Sequence, residues 1–281
     1  VNSFDILHVA PNLRRLPNGI FVADSSRSIS YPSDGNRLCC EIEDGSFWFR
    51  HRNDLLIDAV NRFPPAGALV DVGGGNGFVT KALQNAGWEV ILLEPGLDGA
   101  LNAQRRGVRN IVNAAWEDAA FSPRVLGAIG LFDVLEHVED DLAFLHSLVL
   151  RLVPGGRLYI TVPAHRWLWS FEDVRAGHIR RYTRTSLRKL MIQAGLDVET
   201  TAHFFAFLAL PVFLMRRLAL PSRRHRALAI QIRRDHDQGK NAFRRSVLAR
   251  LCAWERALLK RGWPLPVGTS LLVVARTLFG K

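Results

Sequence analysis

The chain has 281 residues, with 37 Lys+Arg against 26 Asp+Glu, a net charge of +11 at pH 7, and 48% hydrophobic residues. That balance excludes a disordered or collagen-like chain, and the length suits one large α/β domain or two small ones. The charge is unevenly placed: residues 1–200 hold 21 basic and 23 acidic side chains, whereas residues 201–281 hold 16 and 3. A near-neutral body with a basic appendage follows, rather than a protein coated in positive charge. Cys39, Cys40 and Cys252 supply neither a disulfide framework nor a zinc spacing, so a reducing, cytoplasmic setting is expected. No secretory leader is read at the N-terminus. The most apolar run, Phe204–Met215, contains Pro211 and is 12 residues long, short of the about 20 that a spanning helix needs.

Taken in chain order, residues 1–59 carry turn signals and little periodicity, and read as an N-terminal lid that ends in a helix over roughly Phe47–Arg62. From Ala68 short apolar runs alternate with amphipathic stretches, the pattern of a parallel β-α-β sheet. Strands are expected at Ala68–Val72, Glu89–Leu93, Asn110–Ala114, Leu126–Phe132 and Arg157–Val162, then at Leu196–Thr200 and Ser270–Thr277. Helical spacing runs from Phe78 to Ala86, from an Asp140 or Asp141 cap to Leu152, and from Ser186 to Ala194. About 70 residues separate the last two strands. A structureless loop of that length does not suit a folded domain, so helices are expected there.

Chemistry enters at Asp71–Gly77. Gly73, Gly75 and Gly77 form G-x-G-x-G between a strand and a helix, where bare backbone and free helical N–H groups approach a ligand. The dinucleotide fingerprint would place its third glycine at position 78, which is Phe78, so the phase favours a cofactor without a pyrophosphate. Glu94 directly follows the next strand, where a carboxylate can accept both hydroxyls of a ribose. The bland alternatives are a tight turn without ligand and a surface carboxylate.

VDVGGGNG, ILLEPG, FDVLEHVEDD and LVPGGRLYITVP, in this order and spacing, resemble the class I S-adenosylmethionine-dependent methyltransferases. Glu43–Leu56 and Val162–Gly195 are similar to a bacterial subgroup of that family. The resemblance implies a Rossmann-like three-layer sandwich with a seven-stranded, mostly parallel sheet. It also implies S-adenosylmethionine as cofactor, with S-adenosylhomocysteine as product. By the same resemblance Asp71, Gly73, Gly75 and Gly77 hold the methionine part and Glu94 the ribose. Where many members carry an acidic residue against the adenine, this chain has Ala115, followed by Trp116 and Glu117, either of which could supply that contact. Asp133 lies where the fourth strand borders cofactor and acceptor.

Methyl transfer to a hydroxyl needs the acceptor oriented and its proton removed, and a histidine near neutral pKa suits that step. His137 is the first candidate, with a helix-entry position as its bland alternative, and His178 the second, with an ordinary structural histidine as its alternative. His165 is a third, weaker one. Glu136, Glu139 and Asp140 stand near these histidines, but consecutive carboxylates at a helix N-terminus read as caps, so no metal is expected. Trp48 reads either as part of a closing lid or as the core face of its helix. Trp169, in the stripe Trp167–Phe171, reads as acceptor lining or as core. Arg180 and Arg181 flank Tyr182 and could meet an anionic acceptor group, or form a solvated face.

Three domains are expected: a lid (1–62), a cofactor-binding body (63–201 with 264–281), and a basic helical insertion (202–263). In the insertion an apolar helix is followed by repeated arginines, a form suited to an anionic membrane surface on the cytoplasmic face. The competing readings are packing on the body or in a homodimer. DVLEH stands where base-amino methyltransferases carry Asn/Asp-Pro-Pro-aromatic, and that argues against nucleic acid as the acceptor. The expected activity is methyl transfer to a small-molecule or lipid-linked acceptor, on oxygen. An RNA methyltransferase, or a cofactor-binding protein without catalysis, is the alternative.

Overall fold

The computed structural model describes residues 5–24, 35–218 and 242–278. Its strands are β1 (Arg14–Arg15), β2 (Phe21–Val22), β3 (Leu69–Val72), β4 (Val90–Leu93), β5 (Ile111–Asn113), β6 (Leu126–Phe132), β7 (Leu152–Pro163), β8 (Leu196–Phe204) and β9 (Ser270–Thr277). Among the described residues they form one sheet in the order β1-β2-β5-β4-β3-β6-β7-β9-β8. β2, β5, β4, β3, β6 and β7 run parallel, and β9 lies antiparallel between β7 and β8. The order reverses between β3 and β6, so the crevice of this doubly wound sheet opens at the carboxyl ends of those two strands.

The helices are α1 (Ile6–Val9), α2 (Gly35–Glu43), α3 (Phe47–Arg62), α4 (Phe78–Asn85), α5 (Leu97–Arg105), α6 (Trp116–Ala119), α7 (Asp141–Val149), α8 (Phe171–Ala176), α9 (Arg184–Gln193), α10 (Ala206–Leu218) and α11 (Ala242–Lys260). Strand alternation sorts the core into two faces. Val70 and Val72, Leu158 and Ile160, and Val273 meet Leu145 and Leu148 of α7 and Leu187 of α9 on one side. Leu69, Tyr159 and Val274 meet Leu56 and Val60 of α3, Leu83 of α4 and Phe204 on the other. This is the Rossmann-like α/β class that the sequence implies.

Three local features differ from expectation. The sheet has nine strands rather than seven, because residues 14–22 fold as a short hairpin whose second strand pairs in parallel with β5. Part of the expected lid therefore extends the sheet edge. β7 starts at Leu152 rather than Arg157: Pro154-Gly155-Gly156 lies inside the strand, at a register shift against β6, with Gly155 at φ +76°. The short strand β5 covers only Ile111–Asn113.

Between β8 and β9 lie α10 and α11, with residues 219–241 outside the described set. The arginines of 222–234, part of the expected basic insertion, all lie outside the described residues. α11 is bolted to the body rather than hanging from it. Arg256 forks onto Asp58 of α3 (2.5 and 2.9 Å), and Lys260 reaches the same carboxylate (3.1 Å). Buried Glu255 accepts from the backbone N–H groups of Phe205 (2.8 Å) and Ala206 (2.7 Å) at the start of α10, and contacts His51 of α3 (2.8 Å). A carboxylate is favoured at those N–H groups, because the first turn of a helix leaves them without intrahelical acceptors.

Candidate functional site

Buried β3 carries Asp71 and ends at Val72, and the chain then turns through four glycines among residues 73–77. Gly74 admits no side chain: a Cβ there would lie 2.3 Å from Leu92 Cδ1 and 2.7 Å from Asp71 Oδ2. Gly73, Gly75 and Gly77 all adopt positive φ, the conformation glycine takes at least cost. The turn aims the Gly75 N–H at Glu94 Oε2 (2.8 Å), while Glu94 Oε1 accepts from the Gly96 N–H (2.8 Å). Asn36 of α2 approaches the same oxygen at 3.5 Å. Burial raises the pKa of Glu94, and the two N–H donors oppose the rise.

Asp71 is wholly buried. Its Oδ2 accepts from Thr80 Oγ1 (2.5 Å), and its Oδ1 has no partner. Burial pushes this carboxyl up to about 6, against the opposing Thr80 hydrogen bond. A buried acceptor oxygen without a donor, a bare backbone turn and a strand-end carboxylate fit a ligand that brings an amine and ribose hydroxyls. The donor set therefore suits the cofactor the sequence implies.

The adenine end is less open than expected. Trp116 packs into the core, 5.4 Å from Phe121, with its indole N–H donating to Ser147 (3.0 Å), so its aromatic face is not offered to a ligand. Its backbone begins α6 at the Ala115 cap, and Glu117 is exposed beside it.

On the other side of the crevice, β6 ends at Phe132 and Asp133 takes φ +60°. Asp133 accepts from Thr161 Oγ1 of β7 (3.1 Å) and is paired with the Arg52 guanidinium of α3. Next comes the turn Leu135–His137. Glu136 is fully buried, and neither of its carboxylate oxygens has a hydrogen-bond donor. Burial, reinforced by nearby Asp133, raises its pKa well above the usual carboxylate range.

His137 and His178, 41 positions apart in the chain, stand edge to face with ring centres 4.9 Å apart. His137 Nδ1 lies 3.2 Å from the Gly177 carbonyl, and His178 Nδ1 lies 2.9 Å from Asp173 Oδ1. Burial and then His178 lower the pKa of His137 and favour its neutral form. Asp173 also accepts from Arg181 Nε (2.7 Å), and its Oδ2 caps α8 by accepting from the Ser170 N–H (2.8 Å). Although burial opposes it, these bonds hold the Asp173 carboxyl well below its ordinary value.

Arg180 and Arg181, read either as contacts for an anionic acceptor group or as a solvated face, are both paired within the protein. Arg181 is spoken for by Asp173 and the Ala164 carbonyl, and Arg180 by Asp141 (2.8 Å) and the Glu139 carbonyl (2.6 Å). Tyr182 is buried and donates to Asp141 (2.8 Å). Arg180 and Tyr182 fasten the segment after β7 to the turn after β6 and the start of α7, while Arg181 braces the segment after β7 internally.

His165 follows β7 at φ +59°, stacked on Trp167 (5.1 Å) and on His203 of β8 (5.0 Å). Burial is the main cause that lowers the pKa of both histidines, and each has a buried Nε2 without a partner. Trp167 meets Phe213 of α10 edge-on (5.3 Å), and both Trp167 and Trp169 are over a third exposed. Trp48 stacks on Phe205 at 3.7 Å and so joins α3 to the start of α10.

The sequence reading gave Asp173 no role, placed Arg52 only beside Trp48 in the closing lid, and weighed Glu136 as part of a helix-entry cap. Arg52 comes from a helix 81 positions before its partner, which no local pattern reveals. Asp173, five residues before His178, was signalled only by the spacing of an acid and a histidine.

The comparisons with known proteins agree with this geometry. A family model described as a methyltransferase domain matches residues 48–201, more than half of the chain. A ubiquinone biosynthesis O-methyltransferase of Xylella fastidiosa (strain 9a5c) is 32% identical over 117 residues, which are 39% of this chain and 48% of that protein. The chain thus spans about half the length of that relative. A protein of Mycolicibacterium smegmatis named "Probable S-adenosylmethionine-dependent methyltransferase" is 23% identical over 187 residues, 65% of this chain and 72% of its own. Among solved structures, a SAM-dependent methyltransferase from Thermotoga maritima superposes with a TM-score of 0.51 at 19% identity, covering 86% of this chain and 96% of that one.

Proposed function

The chain belongs to the methyltransferase-domain family, and we propose that it is an S-adenosylmethionine-dependent methyltransferase acting on an oxygen of a small or lipid-linked acceptor. The carrying observation is the pair His137–His178, held with buried carboxylates at the carboxyl edge of the sheet beside the cofactor cradle. The O-methyltransferase name of the Xylella relative supports the same choice of atom.

When bound, the cofactor supplies a methyl group activated by its sulfonium. The chain's own residues do the rest. Asp71, Gly73, Gly75 and Gly77 hold the methionine part and Glu94 the ribose, with the Trp116 backbone and Glu117 toward the adenine. Asp133, fixed by Arg52 and Thr161, separates cofactor from acceptor. The His137–His178 pair handles the acceptor's proton, with Asp173 orienting His178. His165 and Trp169 line the acceptor's approach, and Trp48 closes the far wall. Arg180, Arg181 and Tyr182 act as positioning residues.

Incubation with labelled S-adenosylmethionine and a panel of phenolic, hydroxyl, amine and RNA acceptors tests this reading. Transfer to oxygen is expected, with turnover reduced at least tenfold in His178→Ala. Transfer to amine or RNA acceptors alone would overturn it.

The basic insertion suggests where the acceptor is met. Leu210 and Leu214 of α10 are exposed, at 64% and 44%, and precede Arg216 and Arg217. No helix among the described residues is long and apolar enough to cross a membrane. Residues 203–261 are therefore read as a peripheral dock on an anionic bilayer face. Co-sedimentation with anionic but not neutral vesicles is expected; equal recovery with both would sink the idea.

A further inference from the structure

We propose that His165, His203 and Arg184 form a subsite for the phosphate group of an amphiphile. The subsite lies on the same carboxyl edge of the sheet as the crevice, but on its far flank. β7 ends at Pro163, which pairs with Ser270 at the start of β9, and Ser270 pairs with Phe204 at the end of β8. His165 follows the first of these strand ends and His203 stands at the last. β8 is three strands away from β6, which leads into Asp133 and His137. At about 4.8 Å per strand the corner is roughly 14 Å along the edge from them, within reach of one extended ligand.

The first support is a group of buried polar atoms without partners: Nε2 of His165, Nε2 of His203 and Nε of Arg184. His203 is 4% exposed and stacks on His165 with ring centres 5.0 Å apart. Arg184, the first residue of α9, brings Nη2 to 3.4 Å from His203 Nδ1. Thr269, whose carbonyl accepts from the Ala164 N–H (2.9 Å), adds a buried hydroxyl without a partner. Buried polar atoms normally find partners, and in the crevice the same signature on Asp71 marks a ligand's seat.

The second support is the sign of the charge. Arg180 and Arg181 are paired with carboxylates, whereas Arg184 has no carboxylate partner among the described residues. The Leu265 carbonyl accepts from Arg184 Nη2 (3.2 Å) and from His203 Nδ1 (3.1 Å), which leaves Nε2 of that ring for a ligand. Burial is the main cause that lowers the pKa of both imidazoles. Arg181 acts in the same direction on His165, as do His165 and Arg184 on His203, while the Leu265 carbonyl opposes the shift. A phosphate reverses that balance: it pairs with Arg184 and favours the protonated rings, whose Nε2–H groups then donate to it. Donors from three side chains suit a tetrahedral oxyanion better than a planar carboxylate. The third support is apolar. Trp167 stacks on His165 (5.1 Å), meets Phe213 and is 44% exposed. Leu210 and Leu214, both exposed, share a helix face with Phe213 by their spacing. An alkyl chain leaving the phosphate meets this surface. The inference deepens the lipid-linked reading and rests on it.

The test is calorimetry on the full chain with S-adenosylhomocysteine present, using farnesyl phosphate, farnesol and vesicles of phosphatidylcholine with or without phosphatidic acid. Wild type is expected to prefer the phosphate-bearing member of at least one pair tenfold or more. Arg184→Met and His165→Asn should each reduce that preference at least fivefold, with Tm and S-adenosylhomocysteine affinity close to wild type; Asn is chosen because it tolerates the left-handed backbone at 165. Preference for farnesyl phosphate assigns the subsite to a free amphiphile, and preference for phosphatidic acid alone assigns it to a bilayer headgroup. No phosphate preference in wild type, or an unchanged preference in both variants, overturns the proposal. Methyl transfer to hydroxyl acceptors without any phosphate preference defeats the subsite alone. Phosphate preference with no transfer to any hydroxyl acceptor leaves the subsite standing and defeats the oxygen reading.

Discussion

The two sides of the crevice are built by different means. The cofactor side is made of backbone: a glycine turn, two N–H groups aimed at Glu94, and one side-chain hydroxyl on Asp71. The acceptor side is made of side chains from three separated segments, in which Arg52, Asp133, Glu136, Asp173, His178 and Arg181 interlock. Backbone geometry leaves a contiguous mark on the sequence, because particular turns demand glycine at particular positions. An interlock of distant side chains leaves none.

The sharpest way to break this comparison is to put a side chain into the cradle. Gly74→Val places branched carbon where even a Cβ meets Leu92 and Asp71 within 3 Å. Overpacking of that kind costs about 1–3 kcal/mol, and it falls on the segment that faces the ligand. We expect at least a hundredfold loss of S-adenosylhomocysteine affinity by calorimetry, with a lower Tm. Affinity within threefold of wild type would mean that the turn does not form the cofactor's seat.

A smaller effect, confined to the opposite side, is expected for Asp173→Asn. The change keeps the shape but removes the charge that pairs Arg181 and orients His178. Acceptor turnover should fall about 10–100-fold, the usual cost of losing such a supporting partner. S-adenosylhomocysteine affinity should stay within twofold. If both fall together, the two sides are one mechanical unit and the contrast drawn above fails.

The same contrast explains what the sequence made legible. The parallel sheet was readable from buried apolar runs, and the cradle from Asp71, Gly73, Gly75, Gly77 and Glu94. The edge hairpin was not, because strands of two residues, Arg14–Arg15 and Phe21–Val22, carry no period. β7 was read short because Pro154-Gly155-Gly156 looks like a stop, while the structure absorbs it at a register shift. Arg180 and Arg181 looked free because their carboxylates, Asp141 and Asp173, lie 39 and eight positions away in other elements. Trp116 looked like a ligand surface because burial of its ring depends on Phe121 and on Ser147 of α7. In each case the deciding partner is remote in sequence or set by tertiary packing.

The subtlest effect expected is a pH dependence within the cradle itself. Asp71 has its carboxyl pushed up to about 6 by burial, from an ordinary value of 3.8. A carboxyl whose folded pKa is raised contributes stability that is fully present below its unfolded value and is lost as pH rises through the folded one. Ionised Asp71 therefore weighs on the ligand-free fold at neutral pH, and its unpartnered Oδ1 is where that cost resides. Asp71→Asn keeps an oxygen for Thr80 but cannot ionise. The Tm of the variant relative to wild type should rise between about pH 4 and about pH 7, by an amount worth roughly 1–3 kcal/mol. Comparing the two proteins cancels the other shifted groups, among them Glu43 and Glu94, which burial raises, and His165 and His203, which it lowers. At neutral pH the variant should bind S-adenosylhomocysteine more weakly while being the more stable ligand-free protein relative to its acid value. A Tm difference that stays flat across that window would show that Asp71 already has a donor in the free protein, and the cradle would then lack the unsatisfied acceptor that draws the cofactor in.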